Sequence, residues 1–286
     1  MKFVYFGYDF LLHAVRHLID EGHELAGIFT FECDNLFNFN TGTHALAAAY
    51  NVTITEERPT AEALQAYIDQ GVDCFICGGY PHKIPPIDES KAYGINVHPA
   101  YLPKGRGIMP TPFIITEAPE AAGVTIHKLT QSFDAGDILV QEKFELSAHD
   151  CVETYSARVA KTVPDMLSDI LKNLPAAWSA ATPQDETQAT HYPLPSDQMR
   201  MLDYTLPVME IDRTARAFGR FGTITQFGEN LYVVYALTVW KEAHRYEAGT
   251  IIWDGCGREA LVAAKDGFVC LKDFQALEIP QKQSAQ

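Results

Sequence analysis

The side chains best suited to chemistry sit in two short stretches. In the first, Ile95-Asn96-Val97-His98, apolar and polar residues alternate, so a strand here projects Asn96 and His98 from one face. The second, Ser132-Phe133-Asp134-Ala135-Gly136-Asp137, is a polar loop that follows the apolar run 123–129 and can bring a carboxylate to the same crevice. Together an amide, an imidazole and a carboxylate supply hydrogen-bond donors and a carrier for a proton. A polar pair on an otherwise apolar sheet is costly to desolvate unless it is used. Pro99 ends the 95–98 strand, and ligands of open α/β sheets bind beyond such carboxyl ends. Pro103, Gly105, Arg106 and Gly107 then allow an unusual loop shape.

The elements that must hold these residues alternate. Residues 2–6 form an apolar run, 9–20 place Leu11, Val15, Leu18 and Ile19 at helical spacing, and 24–30 form a second run. Helices are expected over 43–50 and 61–70, with strands over 52–54, 72–77, 95–98 and 123–129. The 72–77 run holds almost no polar residue, as at the centre of a parallel sheet. The fold class is therefore α/β, a doubly wound, Rossmann-like parallel sheet. A further helix is expected over 152–174, and the Pro/Ala/Thr-rich stretch after it reads as a linker. Beyond residue 192 one helix (208–218) precedes short runs at 224–227, 231–239, 249–253, 260–264 and 268–271, the pattern of a small β-rich barrel or sandwich, taken as OB-like. The boundaries drawn are 1–178 for the catalytic domain, 179–194 for the linker and 195–286 for the C-terminal domain, a candidate for pairing two copies as a homodimer.

Composition limits the function classes. Apolar residues make up 47% of the 286 and charged residues 21%, which fits a globular chain and excludes a collagen, a coiled coil or a disordered tail. No uncharged apolar run reaches membrane-spanning length, and the N-terminus does not read as a signal peptide, so a cytoplasmic protein is expected. Lys plus Arg number 22 against 37 Asp plus Glu, a net charge of −15, which is a poor field for nucleic acid. The first turn lacks GxGxxG, and GxxxxGK[ST] is absent, so neither a dinucleotide fingerprint nor a P-loop is present. Cys74 and Cys77 are spaced like zinc ligands, but they fall in an apolar strand and face opposite ways; no metal is expected.

The blocks His98-Pro99-Ala100-Tyr101-Leu102-Pro103 with Arg106-Gly107, Gly123-Val124-Thr125-Ile126-His127, and Asp134-Ala135-Gly136-Asp137-Ile138-Leu139 occur here in one order. In combination they resemble the formyltransferases that use N10-formyltetrahydrofolate, a family including methionyl-tRNA, glycinamide ribonucleotide and sugar N-formyltransferases. Further similarity runs through His191-Tyr192-Pro193 and Arg216–Gly222, where Phe221-Gly222 departs from the tRNA enzyme's pattern. The resemblance implies catalysis by Asn96, His98 and Asp134. Asn96 and a protonated His98 would donate to the oxyanion formed when an amine attacks the formyl carbon, and Asp134 would orient His98 and take part in proton transfer. It also implies a pterin site along Gly79, Tyr80, Pro81, His82, Lys83 and Ile84, with Phe133 closing the other side and Arg106 near the entrance. His127 is read as packing or as a neighbour of the site, and Asp137 as a loop cap.

The acceptor follows less directly. The tRNA enzymes carry a basic insertion after the second strand, whereas residues 30–43 here hold no Lys or Arg and two acids. Residues 1–190 hold 12 Lys/Arg against 25 Asp/Glu, and residues 191–286 hold 10 against 12. A small-molecule amine is therefore favoured over tRNA: a nucleotide-linked amino sugar or an N-hydroxyornithine-like amino acid. The alternatives are a methionyl-tRNA formyltransferase, a non-catalytic folate-binding module and a formyltetrahydrofolate hydrolase.

Overall fold

The computed structural model of the chain describes residues 1–277. It divides into two compact units, one of Met1–Ser147 with Thr154–Leu194, the other of Ala148–Glu153 with the described residues from Pro195 on. Among the described residues no helix is long and apolar enough to cross a membrane.

The first unit is built on seven strands: β1 (Lys2–Gly7), β2 (Glu24–Phe29), β3 (Thr53–Thr55), β4 (Cys74–Gly78), β5 (Tyr93–His98), β6 (Gly123–Lys128) and β7 (Ile138–Lys143). Their order is β3-β2-β1-β4-β5-β6-β7. The chain runs outward from β1 to β3, then returns to place β4 on the other flank of β1, which puts a switch point at the carboxyl ends of β1 and β4. Neighbours from β3 to β5 are parallel; β5–β6 and β6–β7 are antiparallel. The sheet is thus mixed rather than wholly parallel. Between β5 and β6 lies only the short α4 (Thr111–Thr116) and a 3₁₀ turn, and β7 returns by a loop.

Both faces are covered. Leu12, Val15 and Leu18 of α1 (Leu12–Asp20), Leu46 and Ala47 of α2 (Thr41–Tyr50), and Tyr155, Val159, Val163 and Leu167 of α5 (Val152–Lys172) share one core with Phe3, Tyr5, Ile95 and Val97. Leu64 of α3 (Ala61–Asp69) covers Val4, Phe6, Phe29 and Phe75 on the other face. The Asp9 carboxylate, in the turn after β1, accepts from the Gly42 and Thr43 amides and so caps α2 from outside that helix. Cys74 and Cys77 fall in the two opposite cores, and burial pushes both thiols up, Cys77 to about 12.

The stretch expected to be a linker has other work. Residues Leu174–Ser179 form α6, whose Trp178 is buried against Tyr93 and donates to Glu89 Oε2 (3.0 Å). Thr182 exchanges both backbone bonds with Ile138, and Thr190 and Tyr192 bond the backbone of Arg106. Proline and alanine here shape a surface-following strap, because its backbone polar groups find partners on the sheet unit.

The second unit holds α7 (Asp197–Arg200), α8 (Val208–Phe218) and one antiparallel sheet ordered β10-β11-β12-β9-β8. Its strands are β8 (Thr223–Phe227), β9 (Asn230–Lys241), β10 (Ile251–Asp254), β11 (Ala260–Ala264) and β12 (Gly267–Ala276). Val208 and Ile211 of α8 pack on Val234, Val262, Val269 and Leu271.

Candidate active site

Alternation in β5 sends Ile95 and Val97 into the α1/α5 core, so Asn96 and His98 face the opposite side. They are 9% and 5% exposed. Tyr155 Oη anchors the end of that strand, sitting between the Gly123 backbone and the Pro99 carbonyl. Thr125 Oγ1 donates to the Ala100 carbonyl (2.7 Å) and accepts from the Leu102 amide (3.1 Å), which folds the chain back toward residue 105.

Asp134 reaches the same place from the loop between β6 and β7. Its Oδ1 lies 3.4 Å from His98 Nδ1 and accepts from Asn96 Nδ2 at 3.3 Å; its Oδ2 accepts from the Gly107 amide at 2.9 Å. Its backbone is left-handed (φ 56°), a strained state for a residue other than glycine, though aspartate tolerates it better than most. Two glycines make the approach possible. A Cβ on Gly136 would strike the Lys128 carbonyl, and one on Gly107 (φ 121°) would strike the Tyr192 carbonyl.

Backbone carbonyls fix the proton positions on both histidines. His98 Nε2 donates to the Gly105 carbonyl at 2.7 Å, which leaves Nδ1 as the nitrogen facing Asp134. His127 Nδ1 donates to the Lys128 carbonyl at 2.8 Å, so its Nε2 accepts from Asn96 Nδ2 at 3.0 Å. Both of these partners are acceptors, so the Asn96 amide can only present its NH₂ group to them. Burial lowers the His98 pKa below its ordinary value, with Asp134 and the Gly105 carbonyl pulling the other way. Burial thus works against a protonated His98, and the neighbouring Asp134 carboxylate works for it. Burial would raise Asp134, but His98, His127 and the Gly107 amide outweigh it and hold the carboxyl well below the usual carboxylate range.

The segment Gly79–Ile84 follows β4 at the carboxyl edge of the sheet. Tyr80 and Ile84 are buried in the α3-side core, Lys83 is exposed, and Pro81 and His82 are half-buried. Tyr80 lies edge-on to Phe6, Phe31 and His82. Its Oη is buried and finds no hydrogen-bond partner among the described residues. Burial pushes the Tyr80 hydroxyl up to about 12, against the charge of Arg58. Phe133 stands 55% exposed next to Asp134.

Arg106, expected near the entrance, is buried and paired. Its side chain is 3% exposed and is spent on Glu186 (2.7 and 2.9 Å) and Gln184 (2.7 and 3.2 Å), because a buried guanidinium must find a carboxylate and further acceptors. Two further residues, His127 and Gln184, meet this cluster. His127 touches Asn96 directly, and Thr125 and His127 alternate with Val124 and Ile126, the same two-residue signal that marks Asn96 and His98. Gln184 donates to the carbonyls of Asp134 and Gly136, both at 2.8 Å, and no local pattern announces it.

The chain is similar to known proteins in sequence and fold. Residues 37–171 match the family described as formyl transferase, and 196–283 match the formyl transferase C-terminal domain. A methionyl-tRNA formyltransferase of Koribacter versatilis is 28% identical over 242 residues, covering 80% of this chain and 77% of that protein. HypX from Aquifex aeolicus in complex with tetrahydrofolic acid has the same fold at 16% identity (TM-score 0.68), covering 97% of this chain and 44% of its own, so the chain spans less than half of that protein. An N-formyltransferase from Helicobacter canadensis in complex with folinic acid and dTDP-3-aminofucose also shares the fold, at 13% identity, TM-score 0.65 and coverage of 96% and 99%. With both domains matched in order around this cluster of amide, imidazole and carboxylate, the chain belongs to the formyl transferase family of enzymes.

Proposed function

We propose that the chain transfers a formyl group from N10-formyltetrahydrofolate to the amine of a small molecule, with Asn96, His98 and Asp134 as its catalytic residues. The observation that carries this reading is the convergence of Asn96 Nδ2 (3.3 Å) and His98 Nδ1 (3.4 Å) on Asp134 Oδ1 in a chain of this family. In the reaction a C–N bond forms between the acceptor nitrogen and the formyl carbon, and the bond from that carbon to N10 breaks. The acceptor nitrogen loses one proton and N10 gains one, so the balance is neutral. Asn96 Nδ2 and, once His98 is protonated, its Nδ1 are placed to donate to the oxygen that gains charge, at a cost of giving up contacts with Asp134. Such donors each contribute roughly 3–4 kcal/mol when aimed at the transition state. Asp134 orients His98 and stabilises its cation as that charge appears. The donor's ring system would lie along Gly79, Tyr80, Pro81, His82, Lys83 and Ile84, where the orphaned Tyr80 hydroxyl fits a ligand with polar edges. Phe133, exposed beside Asp134, is placed to cover it.

The acceptor proposed is a nucleotide-linked amino sugar or an N-hydroxyornithine-like amino acid. The net charge of −15 and the absence of Lys and Arg from residues 30–43 favour it over tRNA. A specific observation favours the second reading, methionyl-tRNA formylation: the curated relatives are named for it. The deciding experiment is spectrophotometric release of tetrahydrofolate from N10-formyltetrahydrofolate with a dTDP-linked 3-amino sugar, N-hydroxyornithine or charged initiator tRNA. Turnover with the first or second supports the proposal, turnover with tRNA alone replaces it with the second reading, and formate release without any amine replaces transfer by hydrolysis. Failure to bind the donor at all removes the folate reading.

A further inference from the structure

The strap formed by residues 182–192 touches both loops that build the candidate site, and one of its side chains joins them. We propose that Gln184 is a positioning residue for the reaction, holding the loop of Asp134 and the loop of Gly105–Gly107 in one register. The proposal rests on the assignment of Asn96, His98 and Asp134 made above.

The geometry leaves Gln184 a single orientation. Its Nε2 donates to two carbonyls, those of Asp134 and Gly136, each at 2.8 Å. Its Oε1 accepts from Arg106 Nη2 at 2.7 Å and Nε at 3.2 Å. Carbonyls only accept and a guanidinium only donates, so exchanging the amide's two ends would break all four contacts. The two loops joined in this way are the ones that hold the reacting pair. Gly105, before Arg106, supplies the carbonyl that binds His98 Nε2, and Gly107, after it, supplies the amide that binds Asp134 Oδ2. Asp134 itself sits in a left-handed conformation that its surroundings must impose, and the Gln184 bond to its own carbonyl acts on that residue. The rest of the strap reinforces the first loop. Thr190 Oγ1 accepts from the Gly105 amide (2.9 Å), the Arg106 amide donates to the Thr190 carbonyl, and the Tyr192 amide donates to the Arg106 carbonyl. Glu186 neutralises the buried guanidinium, so that Arg106 can serve as a fixed post for Gln184.

The test uses the full chain and reads His98 directly. The histidine rings are titrated by nitrogen-15 NMR, with His98 assigned from the spectrum of His98→Gln. Gln184→Glu keeps the side-chain length but turns an oxygen toward the Asp134 and Gly136 carbonyls. It should loosen Asp134 from His98, and since Asp134 raises the His98 pKa, the His98 midpoint should move to lower pH. In the formyl-transfer assay kcat should fall by about 100-fold, the cost of a misplacement near 1 Å, with the donor KM changed far less. If Gln184→Glu does not fold, Gln184→Met, which removes the donor and the acceptor but fills similar space, carries the same expectation. A folded Gln184 variant with an unmoved His98 midpoint overturns the proposal, as does a loss of kcat explained by unfolding alone. The two readings fail separately. Active His98→Ala and Asp134→Ala enzymes would remove the catalytic assignment whatever Gln184 does, whereas inactive ones beside a normal Gln184→Glu enzyme would remove only the strap.

Discussion

Both units bury polar side chains, but they use them differently. In the second unit Arg200 is 4% exposed and donates to the carbonyls of Phe221 and Gly222, while Tyr204 and Thr225 bond each other at 2.8 Å. Those bonds close backbone ends and tie α7 to the start of β8. In the first unit Asn96, His98, His127 and Asp134 come from three separate stretches of chain and converge on one another, with a titratable pair at the centre. Burial of polar groups therefore does not mark a site. Convergence of groups able to exchange a proton is what singles out a candidate.

The contrast can be broken most sharply at its centre. His98→Ala or Asp134→Ala should cut kcat by about 100- to 1,000-fold, as for loss of an electrostatic contact to the transition state. Donor binding should hardly move, and each variant should remain folded at the assay temperature; near-normal turnover in either variant would falsify the assignment. The mirror image is Arg200→Met. Two buried carbonyls lose their donor, so urea denaturation should report a stability loss of about 1–3 kcal/mol, with kcat at a permissive temperature unchanged. A loss of kcat without loss of stability there would move function into the second unit.

His127→Leu falls between these two. It strips an acceptor from the Asn96 amide, and the loss of one hydrogen bond worth about 1–1.5 kcal/mol should slow turnover by about tenfold. Equal activity would make His127 a packing residue only. The smallest effect is on acid stability. His98 titrates at 6.5 when unperturbed and below that when buried, so the unfolded chain takes up the proton first as pH falls. Its contribution is complete above pH 6.5 and is lost on descending toward the folded-state value. Asp134, held below 3.8, adds a loss of the same sign at lower pH. Urea midpoints measured from pH 7 to 4 should decline, and the decline between 6.5 and 5 should be shallower in His98→Gln.

Much of this arrangement is legible in the sequence. Apolar runs such as 72–77 and helical spacing such as 9–20 map onto β4 and onto the turn leading into α1, because period and burial agree there. The two-residue alternation of Asn96 and His98 announced a polar face, and the 208–218 helix matches α8. What escaped depends on partners far away in sequence. The antiparallel turn of β6 and β7 follows from which edge the chain reaches, not from local preference. The burial of Arg106 could not be read locally, because the residues that pair with it, Gln184 and Glu186, lie nearly eighty positions downstream in a stretch whose composition is that of a linker. Long-range hydrogen bonds of this kind leave no periodic trace.

The antiparallel pairing of β5 with β6 has a consequence for how the sequence can vary. Asn96 stands opposite His127, Val97 opposite Ile126 and His98 opposite Thr125. A one-residue insertion within β6 would set Ile126 across from Asn96 and swing the imidazole through the sheet into the helix-covered core. Length between residues 123 and 128 is therefore under tighter constraint than identity at most of its positions. In a library of variants, substitutions along this strand should survive far more often than single-codon insertions or deletions.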